Sequence, residues 1–262
     1  MSFGQSLGSE DGHEQMLTLL EQIRERSAAE NFYIGVLLKQ RERELLESLP
    51  SDAPESERAR LEFAVGKDEL RLGANASAVE HLLVAHRLSD DDFIEPAFEL
   101  AVAYLRLAES QNCLAHPNPD RCIFPIRGGG VHDEQLGARQ AVRYLQEVLK
   151  KRPAHLAARW LLNLAYMTLE EYPAEVPQAL LIPPEAFESE APFPQFRDVA
   201  PGLGLGVASL SGGAIAEDFD GDGWLDLVVS DWNPSGQIRY FHNNRDGGFS
   251  ERTEEAGLIG IF

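Results

Sequence analysis

Glu217-Asp218-Phe219-Asp220-Gly221-Asp222-Gly223-Trp224-Leu225-Asp226 is the stretch from which the rest of this 262-residue chain is read. Counting from Asp218, aspartates stand at positions 1, 3, 5 and 9, and Gly223 at position 6 permits a sharp turn. That order gathers hard oxygen ligands from Asp218, Asp220, Asp222 and Asp226 around one point, where the backbone carbonyl of Trp224 can join them. The spacing is that of a calcium loop. It is not an EF-hand, because position 12 is Val229 rather than a bidentate glutamate and the flanks alternate like strands. Gly213-Ala214-Ile215-Ala216 leads in, and Leu225, Leu227 and Val229 line one strand face leading out. The expectation is strand, calcium loop, strand. A solvated acidic turn is the plain alternative, although it would not need such regular spacing, and magnesium fits less well because it prefers a rigid octahedron.

Charge couples this loop to its ligand. Five carboxylates within ten residues repel one another at close range, so the loop is expected to be poorly ordered until a divalent ion neutralises it.

Two copies of one pattern flank the loop. Phe196-Arg197-Asp198-Val199 is followed by Gly204-Leu205, and Phe249-Ser250-Glu251-Arg252-Thr253 by Gly257-Leu258, 53 residues later. Between them lie Leu227-Val228-Val229-Ser230 and Gln237-Ile238-Arg239-Tyr240-Phe241-His242-Asn243-Asn244. The arrangement resembles an FG-GAP/VCBS repeat, the blade unit of a calcium-binding β-propeller, over about residues 196–258. Gly212-Gly213-Ala214-Ile215-Ala216-Glu217-Asp218-Phe219-Asp220-Gly221-Asp222-Gly223 is most similar to the proteins related to cartilage acidic protein, which end in an ASPIC/UnbV domain. The resemblance implies a small antiparallel sheet whose strands the aspartate loop ties, Ca2+ as the ion, and an extracellular or periplasmic location. One full blade is present before Gly260-Ile261-Phe262, which reads as a chain truncated before its remaining blades and ASPIC/UnbV domain. A lone blade cannot bury both faces of its sheet, so it is otherwise expected to pack on the helical part or on another chain.

Composition bounds the partners. A formal charge of -20 and a pI near 4.7 argue against nucleic acid and anionic membrane, while favouring a cation. No run approaches the roughly 18 apolar residues of a membrane span. Met1-Ser2-Phe3-Gly4-Gln5 lacks the basic and apolar regions of a signal peptide, so nothing in these residues would export the chain if the start is genuine.

Residues 1–12 read as disordered. Beyond them apolar residues recur at helical spacing, first Met16, Leu19, Leu20 and Ile23, then Ile34, Leu37, Leu38 and Leu45. Pro50-Ser51-Asp52-Ala53-Pro54 closes one helix and opens another, and Arg41, Glu42, Arg43 and Glu44 read as a solvated helix face. Gly66, Gly73, Ala78, Leu82 and Ala85 fall at the spacing of a tetratricopeptide (TPR) repeat. Leu100–Ala108 and Leu162–Glu170 align with the first helix of such a repeat, and Ala141, Leu145, Val148 and Pro153 with the second. A nonrepeating bundle is the alternative. In either case residues 13–172 form an α-helical array able to present a surface to a protein or peptide partner.

One insertion interrupts the array. Residues 111–133 hold Cys113, His116, Cys122 and His132 in a segment rich in proline and glycine. Two thiolates and two imidazoles could bind zinc or copper, two thiols could form a disulfide, or both could simply be packed; the spacing leaves all three open. Cys-rich loops ending in Cys-Ile-Phe-Pro-Ile accompany this helical region in the resembled group, which makes the loop part of the architecture. Arg127-Gly128-Gly129-Gly130 lacks the Gly-Lys-Ser/Thr of a phosphate cradle and reads as a flexible turn. His13, His81, His86, His155 and His242 are isolated and read as surface or packed residues. Asn75-Ala76-Ser77 fits a glycosylation sequon, but Asn75 at a helix start is better read as an N-cap. No nucleophile elbow or zincin motif is present.

The prolines between Tyr172 and Pro194 mark an extended linker over 173–195, and residues 196–262 form the blade and the start of the next repeat. Trp232–Gly236 and Asn243–Gly248 read as hairpin loops. The fold class expected is α+β, a TPR-like helical array followed by a single antiparallel propeller-type blade. The function expected is a noncatalytic, calcium-binding interaction scaffold, with metal or redox chemistry in the Cys113/His116/Cys122/His132 loop as the alternative.

Overall fold

The computed structural model describes residues 9–31, 33, 35–90, 92–114, 120–121, 123–188, 191, 196, 198–207, 209 and 211–262. Among the described residues seven α-helices precede one four-stranded antiparallel sheet, an α+β arrangement. The chain divides into two compact units. One joins Met1–Leu38 to Arg197–Phe262, and the other is Lys39–Phe196. The sequence reading groups the first helix with the array, whereas the structure groups it with the blade. No helix among the described residues is long and apolar enough to cross a membrane.

The helices are α1 (Ser9–Glu30), α2 (Val36–Glu47), α3 (Glu55–Arg71), α4 (Asn75–Leu88), α5 (Glu95–Glu109), α6 (Leu136–Lys151) and α7 (Leu156–Thr168). The start of α1 at Ser9 corrects the expectation of disorder through residue 12, because lengthening an existing helix adds one hydrogen bond per residue ordered. In the second unit α3 to α7 each pack on the next in chain order. Leu82, Leu100, Leu145, Val148 and Leu162 are fully buried at the centre of that packing. Small residues set its closeness: a Cβ at Gly66 would lie 2.7 Å from Leu82 Cγ, and one at Gly137 would lie 2.7 Å from the carbonyl oxygen of Tyr104.

Two polar residues and one glycine turn depart from their sequence reading. Arg43 stays partly exposed but is more than a solvated charge. It pairs with Glu69, which is buried on α3, while Lys39 Nζ stands 3.8 Å from the same carboxylate. A buried carboxylate needs a partner, and the next helix supplies it. Asn75 is the first residue of α4 rather than its cap. Its Nδ2 donates to the Arg106 carbonyl at 3.3 Å and to Ser110 Oγ at 3.0 Å, a tie to α5 and its extension that local sequence cannot reveal. Gly128–Gly130 forms a 3-10 turn in which Gly130 is buried, and a Cβ there would lie 2.8 Å from the Asp120 carbonyl, so packing holds a segment read as flexible.

The proline-rich segment is anchored to α7 through at least residue 182. Asn163, fully buried on α7, donates through Nδ2 to the carbonyls of Arg159 and Leu180 at 2.8 and 2.9 Å, and its Oδ1 accepts from the Ile182 N–H at 2.9 Å. Arg159 Nε donates to the same Leu180 carbonyl at 3.0 Å, and the Tyr172 hydroxyl to the Ile182 carbonyl at 2.7 Å. Phe187 then sets its ring 5.8 Å from that of Trp160 and 6.0 Å from that of Tyr172. The expected linker is, over these residues, a strap.

The blade comprises β1 (Ser211–Glu217), β2 (Asp226–Asp231), β3 (Arg239–Asn243) and β4 (Phe249–Glu251), in spatial order β1-β2-β3-β4. Its register pairs Glu217 with Asp226, Leu227 with Phe241, and Phe241 with Glu251. Each strand therefore follows the last by a hairpin. The two pattern copies differ in backbone: Phe249–Glu251 is a strand, while the described residues among 196–199 are irregular. Both keep a left-handed glycine at the matching place, Gly204 at φ 82 and Gly257 at φ 69. Phe241 is the large apolar side chain fully buried in the blade, whereas Ile215, Phe219, Leu225 and Trp232 are exposed. Within this unit Arg24 of α1 donates to the Pro234 carbonyl at 2.9 Å.

Candidate cation-binding loop

Residues 218–225 connect β1 to β2. Gly221 and Gly223 take φ of 75 and 87, conformations that side chains with a Cβ rarely adopt, and they fold the loop back on its own carboxylates. Asp218 accepts the N–H of Asp222 and of Gly223, each at 2.9 Å, one on each carboxylate oxygen. Asp220 Oδ1 accepts the Asp222 N–H at 3.1 Å, and Asp222 Oδ1 accepts the Trp224 N–H at 2.8 Å. Backbone donors thus hold the carboxylates of this loop in place.

The four aspartates play three different parts. Asp220 and Asp222 bring ligand oxygens within 4.8 Å of each other and of a ring nitrogen of His242, a group able to hold a metal ion. Asp218 is occupied with the loop amides described above. Asp226, the first residue of β2, is fully buried, where its Oδ2 accepts from the Tyr240 hydroxyl and its Oδ1 from the Asn243 N–H, both at 2.8 Å. Its Oδ1 also lies 3.5 Å from His242 Nδ1. Trp224 contributes its N–H to Asp222, and its side chain is exposed.

Two residues escape the sequence reading. His242, taken there as isolated, places Nδ1 3.1 Å from Asp220 Oδ2. Arg245 bonds Asp222 Oδ2 through Nε at 2.9 Å and again through a guanidinium nitrogen, with its own backbone at φ 63 in the left-handed region. That guanidinium, with the Trp224 N–H, holds the Asp222 carboxyl below the usual carboxylate range. Burial, joined by the bond to Asp226, pushes the Tyr240 hydroxyl far above the ordinary tyrosine value, so it remains a proton donor. Only the β2–β3 pairing brings His242 and Arg245 to the loop. No local motif announces them.

The Cys/His insertion is described in part. Cys113 Sγ lies 3.8 Å from His132 Nε2. His132 is buried, its Nδ1 has no hydrogen-bond partner, and burial followed by the charge of Arg121 lowers its pKa, which favours the neutral imidazole. His116 and Cys122, and with them the disulfide or four-ligand reading, lie outside the described residues. Asn112 secures the segment, bonding the Ala108 carbonyl and both backbone groups of Glu134. Of the other histidines, His13 is exposed on α1, His81 pairs with Glu62 at 2.6 Å, His86 with Glu147 at 3.3 Å, and His155 caps α7 by accepting the Ala158 N–H.

A four-stranded hairpin sheet with an aspartate loop between its first two strands has the strand layout of a propeller blade. Among known families, the model of the FG-GAP-like repeat matches residues 218–260, from the first aspartate of the loop through β2, β3 and β4. No curated protein matches the chain. The match fits a propeller-blade interaction module, and it covers none of the helices.

Proposed function

We propose that this protein is a noncatalytic interaction scaffold whose blade takes one calcium ion at the 218–226 loop and whose helical unit receives a protein or peptide partner. The observation that carries the reading is the convergence of Asp220 and Asp222 on one point of a loop that begins the FG-GAP-like repeat, with Asp218 and Asp226 on either side. The donor chemistry fits: aspartate oxygens suit a hard divalent cation, and the left-handed glycines allow the backbone to bend around it. When bound, calcium would neutralise the clustered carboxylates. Asp218, Asp220, Asp222, Asp226 and the Trp224 carbonyl are the proposed ligands. The helices, packed in sequential pairs with glycines at the contacts, support reading the second unit as degenerate TPR repeats.

Chelation tests the calcium site. At calcium about 100-fold above Kd, binding adds about 2.7 kcal/mol, so removal with chelator is expected to lower the melting temperature of the blade by several degrees. Asp220→Ala or Asp222→Ala is expected to give the low value without chelator. A melt that chelator leaves unchanged would remove the proposal.

A second reading rests on the approach of Cys113 to buried His132, which would suit a transition metal or redox centre in the 111–133 loop. Metal analysis after dialysis separates the two. Stoichiometric zinc or copper that is lost in Cys113→Ser would favour this reading, whereas a metal content that does not change with Cys113 would remove it.

A further inference from the structure

We propose that His242 completes the loop site from β3 with a nitrogen ligand, so that the site accepts first-row transition cations such as Co2+ and Zn2+ as well as calcium. The inference rests on the cation reading above and changes what that site selects. The antiparallel pairing of Leu227 with Phe241 sets the next residue, His242, beside Asp226 and facing the loop. Its side chain is only 13% exposed, and Nδ1 stands 3.1 Å from Asp220 Oδ2 and 3.5 Å from Asp226 Oδ1.

Neither approach is aligned as a hydrogen bond, so Nδ1 is a buried polar atom whose contacts are the two carboxylates alone. Such atoms are rare in folded proteins, and an ion is one of the few ways to satisfy them. The distances suit an ion. Ligand atoms about 2.0–2.4 Å from one cation can stand no more than about 4.8 Å apart, and oxygens of Asp220 and Asp222 and a ring nitrogen of His242 all lie within 4.8 Å of one another. An all-oxygen loop favours calcium, but imidazole shifts preference toward cobalt, nickel, copper and zinc. Arg245 shares Asp222 with the incoming ion, and its charge opposes every cation alike, so it does not create the preference.

The test is a Co2+ titration of the full chain alongside a Ca2+ titration, both followed through the NMR amide signals of residues 220–226. Diamagnetic Zn2+, which shifts only amides near its own site, repeats the Co2+ titration so that a response in this loop is not mistaken for one in the cysteine segment. In the wild-type protein Co2+ is expected to shift these signals at a stoichiometry of one. His242→Asn is expected to weaken Co2+ binding by about tenfold or more while leaving Ca2+ affinity within about twofold. Equal loss of both ions, an unchanged Co2+ titration, or no Co2+ response in the wild type would each overturn the inference. Should the asparagine variant lose its fold, His242→Gln repeats the comparison. The calcium reading fails separately, if Ca2+ moves neither these signals nor the melt.

Discussion

Asp226→Ala is expected to destabilise the blade by about 2–4 kcal/mol, and to do so in chelator as well as in calcium. The carboxylate is fully buried and accepts from the Tyr240 hydroxyl and the Asn243 N–H, both at 2.8 Å. Alanine would leave both donors buried without an acceptor, and each orphaned group costs about 1–3 kcal/mol. Urea unfolding in chelator, followed by tryptophan fluorescence, checks this, because Trp224 and Trp232 lie in the blade and only Trp160 in the helical unit. If Asp226 served the cation alone, the variant and the wild type would unfold together once the ion is removed. Asp220→Ala provides the contrast: its carboxylate is exposed and its one loop hydrogen bond is replaceable by water, so its effect in chelator is expected to fall below about 1 kcal/mol.

Asn163→Leu is expected to cost the helical unit about 2–4 kcal/mol and to free the strap for proteolysis. Leucine keeps the branched outline while deleting the bonds to Arg159, Leu180 and Ile182. The Ile182 N–H loses its acceptor, and Leu180 keeps Arg159 as its remaining donor. Limited proteolysis with mass analysis is expected to show new cuts between Tyr172 and Phe187 in the variant. Equal cutting of both proteins would mean that the rings of Trp160, Phe187 and Tyr172, rather than Asn163, secure the segment.

Elements with strong local patterning were the legible ones. Apolar periodicity located the helices, Pro54 marked the start of α3, and the alternation around Leu227 and Val229 marked β2. Gly66 was legible as a close-contact residue because its place in the repeat pattern points at Leu82. The roles of Arg43 and Asn75 were not legible. A charged residue on an amphipathic helix reads as solvated unless the facing helix is known, and only packing set Arg43 against buried Glu69.

The aspartate loop divides the same way. Local sequence determined which carboxylates cluster between two strands, since aspartate spacing and glycine conformation act within one turn of chain. Tertiary structure alone decided that Asp226 turns inward to Tyr240 and Asn243, that His242 faces Asp220, and that Arg245 closes on Asp222. The reason is register: residues far apart in sequence meet only once β2 and β3 pair, and a shift of one residue would send His242 to the opposite face of the sheet.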